Sequence, residues 1–366
     1  MTDISHDEAS YLHAALNAAR AARAFLQWME QVSERLAPER STALAEQTRD
    51  AYADMLCACR AALDASPPPA DLVPFAERLG EGFENVERAY ELFTSFPLAS
   101  PHERIARILG ALHHLARAQE IFYQLRHGVL PFADYWQLAE TDVVDQPATR
   151  GDDGLPATGV IHVSRGGHHG GFSVYVPEQY TAERAWPLIV ALHGGSGNGR
   201  DFLWTWVREA KSCGYLLVAP TAVADTWSAV EDRGLLEILA WLGQRYHLAA
   251  DRILLTGLSD GATFALLYGL AHPDVYCALA PLCGVFHPAN EALGNLGRAR
   301  GVPVYLVHGA LDFLFPVPLA HITRDTLTAA GAALEYHELA DLSHTYPRSE
   351  NIRILRWFEG LPPRQG

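Results

Sequence analysis

The stretch Ile253-Leu254-Leu255-Thr256-Gly257-Leu258-Ser259-Asp260-Gly261 decides how the rest of the chain is read. It opens as a continuous apolar run, the pattern of a strand buried on both faces, and passes into Gly-x-Ser-x-Gly. The residues that follow, to Ala271, are patterned as a helix. Strand, sharp turn and helix in that order hold a serine hydroxyl up at the edge of a sheet. Glycines are needed on both sides because the two backbones crowd the turn. No second match to this pattern occurs in the sequence.

Outward from this run, residues 158–366 alternate short β-rich segments with helical ones. Strands are expected at Val160 to Ser164, Phe172 to Val176, Leu188 to Leu192, Tyr215 to Ala219, Arg252 to Thr256, Ala278 to Leu282, Val304 to Val307 and Leu334 to Leu339. Helices are expected at Arg233 to Tyr246, Gly261 to Ala271 and Leu319 to Ala330. Such alternation specifies an α/β fold, a mostly parallel sheet with helices on both faces. Ligands in such sheets sit outside the carboxyl ends of the strands.

A serine is a poor nucleophile without a base, so a histidine and an acid are sought at later strand ends. Asp312 follows the strand ending at Val307, and His344 follows the strand ending at Leu339. Asp341 is the rival acid, but it stands too close to His344 in sequence to be the usual partner. Each residue also has a plainer reading: Ser259 or Asp312 as a helix N-cap, His344 as a surface histidine. The order Ser259, Asp312, His344, each just past a strand, favours a catalytic triad. Stabilising a developing oxyanion needs backbone N–H groups. The glycines of His193-Gly194-Gly195-Ser196-Gly197 would let a backbone approach a substrate, so the N–H groups of Gly195 and Asp260 are the expected donors. Gly195, Gly197 and Gly199 do not form the Gly-x-Gly-x-x-Gly of a dinucleotide site.

Before this region, residues 1–130 read as four helices separated by prolines, a four-helix bundle. The expected apolar stripes run through Leu12, Leu16, Ala19, Ala22, Leu26, Met29, Val32 and Leu36; through Leu44, Ala51, Met55, Ala58 and Ala62; through Leu72, Phe75, Leu79, Phe83, Val86, Tyr90 and Phe93; and through Ile105, Ile108, Leu112, Leu115, Phe122 and Leu125. Ser100 is the expected N-cap of the fourth helix, with Pro101 at its first position. Residues 131–157, with Gly151-Asp152-Asp153-Gly154, read as a linker. A chain of 366 residues also exceeds the ~250–300 at which one core stops growing, so two domains are expected.

Composition narrows the chemistry. Apolar residues make up 49% and charged ones 19%, a globular balance. A net charge of −15 argues against nucleic acid or an anionic membrane as partner. The single lysine, Lys211, lies in no P-loop frame, which excludes phosphate-loop chemistry and disfavours a Schiff base. No apolar run approaches the ~18 residues of a membrane span. Met1 to His13 is acidic and has no secretory pattern, and five cysteines without a Cys-x-x-Cys fit reduced thiols, so a cytoplasmic setting is expected. Neither a cofactor nor a metal is expected; His162, His168 and His169 on a glycine-rich loop do not make a convincing ligand set.

Residues 160–360 resemble the α/β-hydrolase superfamily, in the capless serine-esterase branch of phospholipase/carboxylesterases, polyhydroxybutyrate depolymerase-like proteins and feruloyl esterases. The matching text is His193-Gly194-Gly195, Ala219-Pro220, Trp227, Asp251-Arg252-Ile253 leading into Gly257-Leu258-Ser259-Asp260-Gly261, His308-Gly309 with Asp312, and Ser343-His344. The resemblance implies ester hydrolysis through Ser259, Asp312 and His344. One departure is Asp260 itself, where many relatives carry a neutral residue; an anion there is expected to raise the pKa of His344. Trp227, Phe286, Phe313 and Phe315, with Trp204 and Trp206 nearby, are expected around the mouth of the site, suiting an apolar acyl or aryl group. Only Gly284 to Val302 lie between the sixth and seventh strands, too few for a large cap. The expected function is a serine carboxylesterase for small to medium soluble esters. A phospholipase, thioesterase, transacylase or peptidase on the same triad stays open, as does a binding module whose helices drive homo-oligomerisation.

Overall fold

The computed structural model describes residues 6–139, 141, 145–151, 156–164 and 170–362. The Asp152-Asp153-Gly154 part of the expected linker and the loop histidines His168 and His169 lie outside them. The chain divides into two compact units, Met1–Ala139 and Glu140–Gly366.

The first unit is helical: α1 (His6–Glu34), α2 (Ser41–Ala65), α3 (Val73–Ser95), α4 (Pro101–Leu125) and a short α5 (Leu130–Tyr135). At the start of α4, Ser100 and Glu103 form a reciprocal capping box, with the Ser100 N–H donating to Glu103 Oε2 at 3.0 Å. Three stripes differ from the sequence expectation. On α1, Leu12 is exposed and its neighbour Tyr11 is buried instead. On α2 the buried face is Leu44, Ala45, Thr48, Tyr52 and Leu56, while Ala51, Met55, Ala58 and Ala62 are exposed. Larger side chains set that phase: Tyr52 donates its hydroxyl to Ala24 O at 3.0 Å, and the Trp28 indole donates to Thr48 Oγ1 at 2.9 Å. On α4, Ala111, Leu115, Ala118 and Phe122 are buried, and Ile105 and Leu112 are exposed. Phe122 fits where α3 has Gly82, whose Cβ would stand 2.3 Å from its ring. Residues 130–136, largely assigned to the linker from sequence, instead belong to this unit: Phe132, Tyr135 and Trp136 are buried, and Phe132 stacks on Phe122 at 4.2 Å.

The second unit contains β1 (Gly159–Val163), β2 (Phe172–Val176), β3 (Trp186–Leu192), α6 (Gly199–Phe202), α7 (Val207–Cys213), β4 (Leu216–Pro220), α8 (Glu231–Gly243), β5 (Leu248–Leu258), α9 (Asp260–Ala271), β6 (Ala278–Leu282), α10 (Ala289–Ala292), β7 (Pro303–Gly309), α11 (Val317–Ala329), β8 (Ala333–Leu339) and α12 (Asn351–Gly360). The eight strands form one sheet in the order β1-β2-β4-β3-β5-β6-β7-β8. β2 runs antiparallel to both β1 and β4, and β3 to β8 are mutually parallel. Successive residues of a strand face opposite sides, so full burial of both Leu254 and Leu255 shows that β5 is covered on its two faces. Between β6 and β7 stand only the one-turn α10 and a 3-10 turn at Asn295–Arg298. The carboxyl ends of β3, β5, β7 and β8 therefore lead directly into the loops carrying Gly195, Ser259, Asp312 and His344.

Lys211, on α7, is 3% exposed and pairs with Asp145 and with the fully buried Glu178, 3.4 Å away; Glu178 also accepts the Tyr175 hydroxyl at 2.9 Å. Removing one partner of a buried charge set strands the others. Lys211→Met should therefore lower the stability of this unit by about 3–5 kcal/mol in urea denaturation. A loss below about 1 kcal/mol would show that the cluster is no stronger than a surface pair.

Candidate active site

β5 ends at Leu258 and α9 begins at Asp260, leaving Ser259 alone in the turn with φ 55° and ψ −116°. A non-glycine residue at positive φ is strained and persists only where its surroundings over-determine it. Here the Ser259 N–H donates to Leu282 O on β6 at 2.9 Å, and the Ser259 carbonyl accepts from Thr263 N at 2.9 Å. The flanking glycines are required by closeness. A Cβ on Gly257 would lie 2.6 Å from the Gly261 carbonyl carbon, and one on Gly261 would lie 2.3 Å from His193 O.

Asp312 is carried by the loop after β7, and its side chain is fully buried. Its Oδ1 accepts from the N–H groups of Leu314 and Phe315 at 3.0 and 2.7 Å. Its Oδ2 lies 2.8 Å from His344 Nδ1, and His344 Nε2 lies 2.7 Å from Ser259 Oγ. A carboxylate only accepts, so the His344 proton sits on Nδ1 and Nε2 is left to accept the serine hydroxyl. The three residues expected from sequence are thus brought into one hydrogen-bonded chain, while Asp341 is exposed.

Two buried groups beneath this chain carried no sequence signal beyond a motif position. His308 Nε2–H donates to Phe315 O at 2.8 Å and lies 3.5 Å from Asp312 Oδ2; burial lowers its pKa. Cys283 follows β6 at φ 51°, and its thiol reaches Ser343 O and Thr345 O, on either side of His344, at 3.7 and 3.6 Å. Burial, and then the nearby Asp312, push that thiol up to about 12.

The glycine loop after β3 lies against the serine turn. A Cβ on Gly194 would come within 3.6 Å of Ser259 Cβ, and one on Gly195 within 3.9 Å of Asp260 Cβ. His193, at the base of this loop, is buried, which lowers its pKa. Its Nε2 accepts the Ala222 N–H at 3.0 Å, so the ring is neutral with its proton on Nδ1, 2.6 Å from Gly194 O.

The aromatic residues expected at the mouth divide. Trp227 is 6% exposed, its ring between His193 at 4.8 Å and Phe264 at 5.6 Å, and Trp204 and Trp206 are fully buried. Phe313 is half exposed, Phe286 is partly buried, and Phe315 stands edge-on to His344 at 5.1 Å. Of the three histidines weighed as ligands, His162 lies on β1, with its Nδ1 2.8 Å from Ser173 Oγ.

Sheet order and serine turn give the second unit an α/β-hydrolase-like fold. Residues 236–358 match the family model described as Phospholipase/Carboxylesterase. The chain is 26% identical over 150 residues to Feruloyl esterase B of Talaromyces stipitatus, covering 35% of this chain and 41% of that protein. The chain thus matches under half the length of this curated relative. Among solved structures, similarity extends to a thermostable esterase, with 20% identity, TM-score 0.45, and coverage of 52% of this chain and 58% of that one. It extends also to an acetyl xylan esterase from Aspergillus awamori, with 15% identity, TM-score 0.45, and coverage of 55% and 98%.

The crowding at the turn yields a direct expectation. Gly261→Ala drives a methyl into the carbonyls of Leu192 and His193, at 2.5 and 2.3 Å, and neither backbone can yield freely. It should cost about 1–3 kcal/mol in thermal or urea unfolding, as overpacking does. An unchanged transition would mean that the strand and helix do not approach as described.

Proposed function

We propose that the chain is a serine carboxylesterase acting on small to medium esters through an acyl-enzyme. The observation that carries this reading is the continuous hydrogen-bonded chain from Ser259 Oγ through His344 to Asp312, at 2.7 and 2.8 Å. In the proposed cycle, Ser259 Oγ attacks the ester carbonyl as His344 Nε2 takes its proton. Asp312 holds the ring by Nδ1 and stabilises the imidazolium that forms. The tetrahedral oxyanion is received by the N–H groups of Gly195 and Asp260. His344 then protonates the departing alcohol, and a water activated by the same nitrogen attacks the acyl-enzyme and frees Ser259.

Phe313 and Phe315 follow Asp312 in sequence, and Phe315 packs on His344, which favours an apolar or aryl acyl group beside the base. The likeness to a feruloyl esterase points the same way. Because Trp227 is enclosed, we assign it to the wall of the glycine loop and leave substrate contact to Phe286, Phe313 and Phe315. No helix among the described residues is long and apolar enough to cross a membrane, and a cytoplasmic setting is proposed because five cysteines with no Cys-x-x-Cys pattern fit reduced thiols.

Initial rates on p-nitrophenyl esters of two to sixteen acyl carbons test this reading. The wild type should be most active on short to medium chains, and Ser259→Ala should retain less than about 10⁻⁴ of its kcat. A maximum at the longest chains would favour a lipase, and activity surviving in Ser259→Ala would remove Ser259 as nucleophile.

A further inference from the structure

Asp260 has a side chain that the proposed cycle does not use. Its backbone N–H is assigned to the oxyanion, but its carboxylate is engaged elsewhere: Oδ2 accepts the Trp227 N–H at 2.8 Å. The Trp227 indole donates in turn to His193 O at 2.7 Å. His193 is bound a second time to the same loop, through the Ala222 N–H at 3.0 Å. On the far side of Gly195, Ser196 stands at φ 58° and its N–H donates to Asp225 O at 2.9 Å. The loop itself is pinned to the first turn of α8, where the buried Glu231 accepts the Val223 N–H at 2.8 Å.

Gly195 is therefore bracketed by His193 and Ser196, both tied to residues 222–227, and the Asp260 carboxylate hydrogen-bonds that loop to the serine turn. We infer that the Asp260 carboxylate is a positioning residue: by holding Trp227 it closes a ring of hydrogen bonds that sets the distance between the Gly195 and Asp260 N–H groups. This rests on the reading of the site proposed above. It gives the carboxylate a different role from the one expected from sequence, an electrostatic effect on His344. The two roles separate cleanly. A bond to an N–H needs an acceptor oxygen, which asparagine also has, whereas an effect of charge disappears when the carboxylate becomes an amide.

The test measures kcat, KM and the pH–rate profile of the full chain on its best p-nitrophenyl ester, with a thermal melt of each variant. Asp260→Ala should lose about tenfold or more in kcat with KM changed by less than about twofold, since donors misplaced by a fraction of an ångström fail the transition state and not the substrate. Asp260→Asn should recover kcat to within about threefold of wild type, and the pH midpoint should stay fixed in both variants. Trp227→Phe opens the ring at its other end while keeping the ring stack, and should lower kcat by about fivefold or more. It decides the matter if Asp260→Ala does not fold. Equal losses in the alanine and asparagine variants, a pH midpoint that moves in both, or wild-type kcat in Trp227→Phe would overturn the inference. A wild type that turns over no ester overturns the reading of the site, and this inference with it; an active wild type matched by Asp260→Ala overturns the inference alone.

Discussion

The second unit is organised around a single backbone crossing, the point where β5 gives way to α9 beneath the end of β3. Gly261 lies so close to the carbonyls of Leu192 and His193 that no side chain fits, and Gly257 lies equally close to Gly261. That packing leaves Ser259 one conformation, at positive φ, whose strain is of the order of 1–3 kcal/mol. The ladder bond to Leu282 and the first turn of α9 hold it there. Among the described residues, the three non-glycine positions at positive φ are Ser196, Ser259 and Cys283, and all three lie just past carboxyl ends of strands around the site. Strain is concentrated where the chemistry is proposed, and the buried sheet on either side supplies the rigidity that sustains it.

Much of this was legible in the sequence because strands buried on both faces announce themselves. Ile253 to Leu255 and Leu188 to Leu192 are continuous apolar runs, and the loops after them carry the residues that need no side-chain bulk or a reactive one. The expectation for Ser259 came from the Gly-x-Ser-x-Gly run, and those for Asp312 and His344 from their order and their places just past later strands. The helical unit was harder. Its alanines satisfy several helical phases at once, so the true face of α2 is set by Tyr52 and Thr48 through contacts with α1 that no periodicity reveals. Pro131 reads as a break, yet proline is permitted in the first turn of a helix, and α5 forms across it.

Side-chain bonds between distant segments were the least legible part. Asp260 and Trp227 stand 33 residues apart, and only the fold brings a carboxylate to that amide. Trp227, expected from sequence at the mouth of the site, is held by that bond and is enclosed instead. His308 and Cys283 likewise matter through what they touch, the acid loop and the carbonyls flanking His344, and neither residue type signals such a role by itself.

The central claim is that Ser259 is made nucleophilic by His344 in the folded unit. Incubation with a fluorophosphonate, followed by peptide mass spectrometry, addresses it without any assumption about substrate. The account predicts one adduct per chain, on Ser259, formed at least about a hundredfold more slowly in His344→Ala. Labelling of another residue, or labelling of Ser259 at the same rate without His344, would contradict it.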